Sequence, residues 1–103
     1  MTTIHFTRTG GLLGENIDLD LDLARIPDDA AQNLQNLLLQ SDFFKLPENL
    51  NGTATPDEYS YMIKVISGQS EHTVHANNTT MPASLAPLVA ALSVMYTQDR
   101  ATK

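Results

Sequence analysis

Asp18, Asp20 and Asp22 stand two apart, as in the D-x-D-x-D opening of a calcium loop. Such a loop needs a glycine at its sixth position for the sharp turn, and Leu23 stands there. Its spacers are polar, whereas Leu19 and Leu21 separate these aspartates. The run therefore reads as the solvated face of a strand. His72 and His75 are three apart, which on a strand places them on opposite faces, so they cannot clamp one metal. His5 is alone. No G-x-S-x-G, no cysteine and no glycine loop between strand and helix supplies a nucleophile or a phosphate cradle. An enzyme is not expected, nor a cofactor.

Two further stretches are suited to contact. Thr9–Glu15 reads TGGLLGE, with Leu12 and Leu13 at the centre of a glycine turn where polar residues are usual. They either fold back under the sheet edge or stand exposed for a partner. Thr55–Tyr59 reads TPDEY, and the fixed φ of Pro56 could present Asp57 or Glu58 to a partner; a solvated turn is the plainer reading.

The elements that must position these stretches follow from periodicity. Ile4 and Phe6 alternate with His5 and Thr7, and Ile17, Leu19, Leu21 and Leu23 alternate with the aspartates. Both are period-2 strands, joined as a hairpin tipped by the glycine turn. Pro27, Asp28 and Asp29 open a helix whose positions Ala31, Leu34, Leu37, Leu38 and Ser41 recur at helical spacing. A long connector, residues 42–58, follows, with Phe43, Phe44, Leu46 and Leu50 pinning it to the core. Tyr59, Tyr61, Ile63 and Val65 form a third strand, Ser67–Ser70 a turn, and Glu71–Ala76 a fourth strand. A last helix runs from Ala83 to about Thr97, with Pro87 in its first turn, before a frayed tail.

The order β-β-α-β-β-α predicts an α+β fold: a four-stranded, mostly antiparallel sheet with two helices on one face, in a single domain over residues 1–103. If the first helix returns the chain to the glycine tip, the connector starts at that end. The loops Thr9–Glu15, the stretch before Tyr59, and Asn77–Pro82 then share it.

A net charge of −6 argues against nucleic acid as a partner, because phosphate binding needs a basic patch. No window approaches a membrane span. The N-terminus has neither a basic start nor an apolar run, so it does not read as a signal peptide and a cytoplasmic location is expected.

With these stretches named, the chain resembles the emfourin family, small bacterial inhibitors of protealysin-like proteases in the thermolysin group. The resemblance lies in R-T-G-G-x-x-G (Arg8 to Gly14), D-F-F-x-L-P (Asp42 to Pro47) and P-D-x-Y-x-Y-x-I-x-V (Pro56 to Val65). It continues in H-T-V (His72 to Val74) and P-x-x-L-x-P-L (Pro82 to Leu88). The glycine tip departs from the pattern by carrying Leu12-Leu13 where an aromatic is frequent. The loop after the fourth strand departs by reading Asn78-Thr79 where an acid and glycine are frequent, which leaves it without an expected role. The resemblance implies a monomeric inhibitor of a thermolysin-like or protealysin-like zinc metalloprotease. It further implies that Asp57 reaches the enzyme's zinc in trans, with Glu58 or Glu15 as alternatives. Leu12 and Leu13 fill substrate pockets, and Gly11, Pro56 and Glu58 lie beside them at the interface. A binding module that does not inhibit is the alternative.

Overall fold

The computed structural model describes residues 2–10, 16–50 and 58–101, with side chains through Tyr96. The elements are β1 (Thr2–Gly10), β2 (Ile17–Asp22), α1 (Asp28–Ser41), a 3-10 turn (Phe43–Lys45), β3 (Tyr59–Ser67), β4 (Ser70–Asn77) and α2 (Ala86–Ala101). The four strands form one antiparallel sheet in the order β2-β1-β3-β4. The expected α+β order β-β-α-β-β-α is the observed one.

Alternation decides which face is covered. Ile4 and Phe6 pair with Leu21 and Leu19 on one side and with Val65 and Ile63 on the other. Ile63 and Val65 pair in turn with Val74 and His72. This face packs with Leu34 and Leu38 of α1 and with Leu88, Val89 and Leu92 of α2 to form the core. The opposite face carries His5, Thr7, Asp18, Asp20, Met62 and Lys64 in register.

Helix α1 starts where Pro27 and the acidic pair Asp28–Asp29 suit a helix N-terminus. It ends at Asp42, a left-handed cap with φ 52°, whose N–H donates to the Leu38 and Leu39 carbonyls. Helix α2 starts at Ala86 rather than Ala83. The residues between make a tight turn in which the Leu85 and Ala86 amides donate to the Pro82 carbonyl. Pro87 then lies in the first turn, where its missing N–H leaves no bond unmade. The helix extends to Ala101, further than the expected end near Thr97.

The route from α1 to β3 differs from the expected one. Helix α1 does not carry the chain back to the β1–β2 tip. Leu38, Leu39 and Phe44 line one groove with Thr2, Val65 and Ser67, which lie at the opposite end of the sheet. The connector makes the return itself. Phe43 sets its ring edge-on to His72 at 5.6 Å, and the His72 ring Nε2 lies 2.7 Å from the Leu46 carbonyl oxygen. The His75 amide then donates to Glu48, and Leu50 donates to the His75 carbonyl, each at 2.7 Å. Asn49 thereby bridges His75 in parallel. The connector climbs β4 and covers part of its open edge, where unpaired strand groups would otherwise invite association. Phe43, Leu46 and Leu50 join the core as expected, whereas Phe44 remains 43% exposed.

Candidate functional site

The sheet register brings three chain ends together. Gly10, the last residue of β1, pairs with Tyr59, the first of β3; Ser60 pairs with Asn77, the last of β4. The stems of the β1–β2 loop, of the stretch before β3 and of the β4–α2 loop therefore lie at one end, as the strand directions require. Leu12, Leu13, Gly11, Pro56 and Asp57, together with Glu15, fall outside the described residues. Of the anticipated contact residues, Glu58 is described.

Each stem is shaped by a specific residue. Gly10 adopts φ +90°, and a Cβ there would meet the Glu58 carbonyl oxygen at 3.0 Å. Only glycine accepts both conditions without strain. The Thr79 amide donates to Glu58 Oε1 at 2.9 Å, and the Thr79 hydroxyl donates to the same oxygen. Asn77, fully buried, organises the next turn. Its carbonyl accepts from the Thr80 and Met81 amides, and its Oδ1 accepts from the Thr80 hydroxyl at 2.6 Å. Asn77 Nδ2 is buried without a partner among the described residues.

Behind the stems, on the helix-facing side of the sheet, Arg8 continues the phase of Ile4 and Phe6. Its guanidinium sits 4.3 Å from the Tyr59 ring centroid, within the range of a cation–π contact. Phe6 stacks on Tyr61 at 6.2 Å, and Tyr59 lies 6.3 Å from Tyr61. Burial pushes the Tyr61 hydroxyl above its ordinary value of 10.0; Arg8 opposes that shift and Tyr59 adds to it. An aromatic and cationic ladder thus stiffens the strands where the loops leave them.

The remaining chemical candidates lie elsewhere. His72 faces the core side and His75 the open side, so they do not converge. Asp18 and Asp20 are exposed on the open face, as expected, but His5 is not alone. Its ring lies between them, Nε2 at 2.8 Å from Asp18 and Nδ1 at 3.9 Å from Asp20. Sequence spacing misses this trio because its members meet only through the β1–β2 register. The three could approach one cation, yet all are solvent-accessible ordinary ion-pairing groups. Asp22 is engaged otherwise: its Oδ1 accepts from the Ala24 amide at 3.0 Å.

Comparison with known sequences gives the assignment. The emfourin family profile matches residues 6–93, which include Arg8, Gly10, Glu58 and Thr79. The chain belongs to the emfourin family. Among solved structures, it is similar to "Emfourin (M4in) from Serratia proteamaculans, M4 family peptidase inhibitor". That likeness has 22% identity over 84% of each chain and a TM-score of 0.49. No curated protein gives a match. Membership therefore rests on the family profile. Of the emfourin motifs in this chain, R-T-G-G supplies the cation over Tyr59 and the Gly10 stem, and D-F-F-x-L-P supplies the connector's anchors against His72.

Proposed function

We propose that this emfourin inhibits a thermolysin-like zinc metalloprotease by seating its loop end in the enzyme's active site. The observation that carries this reading is the convergence of three loop stems at one end of the sheet in a member of this family. Family members are protease inhibitors rather than enzymes, and the solved relative is described as an M4 family peptidase inhibitor.

A catalytic zinc keeps one position open for the water it activates. A carboxylate is a competent oxygen ligand for that position and would displace the nucleophile. Asp57 is the residue we assign to it, because Pro56 restricts the chain just before it and β3 begins two residues later. Leu12 and Leu13 supply the apolar contact. Each leucine side chain buried in a substrate pocket contributes about 1.5–3 kcal/mol, enough for a pair to form a hot spot. Gly11 and Pro56 complete the interface. The inhibitor brings no metal or cofactor, acts as a monomeric single domain and works in the cytoplasm. Its negative net charge suits a partner that presents a cation at the site.

The test is titration of a thermolysin-like protease with the wild-type chain and with Asp57→Ala, following peptide cleavage. Near one-to-one inhibition by the wild type and much weaker inhibition by the variant are expected. Equal inhibition by both would move the role to another acid or to the leucines. A saturated complex that still cleaves peptide would replace inhibition by a non-inhibitory binding role.

A further inference from the structure

The two outer strands of the sheet are treated differently. Along β4 the connector bonds its own backbone to His75, so that edge is partly covered. Strand β2 is the other outer strand. Among the described residues, one backbone group on its far side is bonded, the Asp22 carbonyl, which accepts from the Arg25 amide at 2.9 Å. The register says which groups lie free. The Leu23 amide donates to the Thr2 carbonyl, so Leu23, Leu21 and Leu19 direct their backbone groups at β1. The residues that alternate with them, Asp18 and Asp20, direct theirs outward. Their carboxylates stand on the open face, 74% and 82% exposed. Free backbone groups and exposed negative charge therefore belong to the same two residues. Asp22 is engaged differently: its Oδ1 accepts from the Ala24 amide, and its Oδ2 lies 3.8 Å from Arg25 Nε. On the helix-facing side of the same edge, half-buried Leu21 and Ile26 line a groove of about 510 Å³.

We propose that the outer edge of β2 docks an extended segment of a partner protein, one that carries Lys or Arg at alternate positions with apolar residues between them. Such a segment adds to the sheet as an antiparallel strand, bonding the amide and carbonyl of Asp18 and of Asp20. Residues directly opposite in such pairs share a face, with Cα atoms about 5.5 Å apart. Cations opposite Asp18 and Asp20 therefore meet the two carboxylates on the open face. The apolar residue opposite Leu21 lies on the other face, against Leu21 and Ile26.

Charge decides between occupants. A second copy of β2 has the same groups free, and pairing through them would set aspartate against aspartate. Like charges directly opposite are destabilising, so the row keeps a copy off the edge that it opens to a basic segment. The net charge of −6 draws in a partner of the same positive sign. The inference makes no use of the loop end and stands whether or not that end inhibits.

The test titrates the 15N-labelled full chain with an eight-residue peptide of alternating valine and lysine, capped at both ends. In the free protein the Asp18 and Asp20 amides should exchange faster with solvent than those of Leu19 and Leu21. At a peptide concentration ten times its Kd, exchange at Asp18 and Asp20 should slow about tenfold. The same peptide N-methylated at every lysine keeps its charge and loses the donors that face β2, so it should not bind. A valine–glutamate peptide should not bind either. The double variant Asp18→Asn/Asp20→Asn should bind the basic peptide about tenfold more weakly, with a thermal midpoint near wild type.

Equal binding of the methylated peptide would reduce the contact to charge alone and overturn the proposal, on an unaltered protein. Failure of the basic peptide to bind, or equal binding of the glutamate peptide, overturns it as well. So does protection of the Asp18 and Asp20 amides already present in the free chain, because the edge would then be covered. Sedimentation velocity would show whether a second copy covers it.

Discussion

The two ends of the sheet are built differently. At one end β3 and β4 are joined by Gly68-Gln69 alone, with Gly68 at φ +62° in the first central position, as a two-residue II′ hairpin requires. The first rungs are closed by hydroxyls, Thr2 on Ser67 at 3.3 Å. At the other end the strands release three longer connections, and the stems are tied by side chains: Glu58 to Thr79, Asn77 to Thr80, Arg8 over Tyr59. The hairpin end keeps the chain short and satisfies itself locally. The loop end uses a buried asparagine, a cation over a ring, a carboxylate clasp and a glycine at φ +90° to hold its stems together. An end that only closes a sheet does not need such a network; an end that must present loops in fixed geometry does.

That contrast can be broken experimentally. The largest effect is expected for Phe6→Ala, which empties the centre beneath both ends. Loss of a fully buried phenylalanine costs about 3–5 kcal/mol, and chemical denaturation should show it directly. Inhibition should be lost only as far as folding is lost.

Asp57→Ala comes next and should act on function alone. An inhibition constant raised about 100-fold, with an unchanged denaturation midpoint, is the expected result if a charged ligand to the enzyme is removed. A comparable loss of stability would mean that the aspartate is structural.

The matched glycines sharpen the contrast. Gly10→Ala and Gly68→Ala both force a positive φ on alanine, at a cost of about 1–2 kcal/mol each. Only the first also drives a Cβ against a backbone oxygen; nothing lies within 4 Å at Gly68. Gly10→Ala should therefore be the less stable of the two by thermal denaturation and should also weaken inhibition. Gly68→Ala should lower the midpoint and leave inhibition intact. Equal effects on inhibition would erase the distinction between the ends.

The smallest effect concerns Tyr61. Its hydroxyl is held neutral to higher pH by burial, so its folded value lies above the unfolded one. The associated stability is present below pH 10 and is lost as pH rises from there through the folded value. Thermal midpoints measured across this alkaline window should fall more for the wild type than for Tyr61→Phe. Parallel curves would show that the tyrosine is not buried enough to matter.

Much of this architecture was legible in the residues. The unbroken alternation from Ile17 to Leu23, the Leu34–Leu38 spacing and the proline-acid opening at residues 27–29 read correctly because each is a local pattern with a local cause. The meeting of the three stems at one end was legible too, although it was reached through a first helix returning to the glycine tip; in the structure the connector makes that return. The path of α1 was not. Helical periodicity tells which face of α1 is buried, not the direction in which the helix crosses the sheet. The connector's climb along β4 depends on backbone bonds at His75 that no side-chain pattern announces. The loop residues favoured as contacts, Leu12, Leu13 and Asp57, were read from chemistry and resemblance, and the described geometry reaches them only through their stems.

By itself the sequence determined the elements, the buried face of each strand and the family, because period, proline and glycine act over a few residues and the motifs are linear. Only the tertiary structure decided that His5 sits between Asp18 and Asp20, that Arg8 lies over Tyr59 and that Thr79 is the partner of Glu58. Those pairings depend on strand register and on loop stems meeting at one end of the sheet. Register is a property of two segments at once, so neither segment's residues announce it alone.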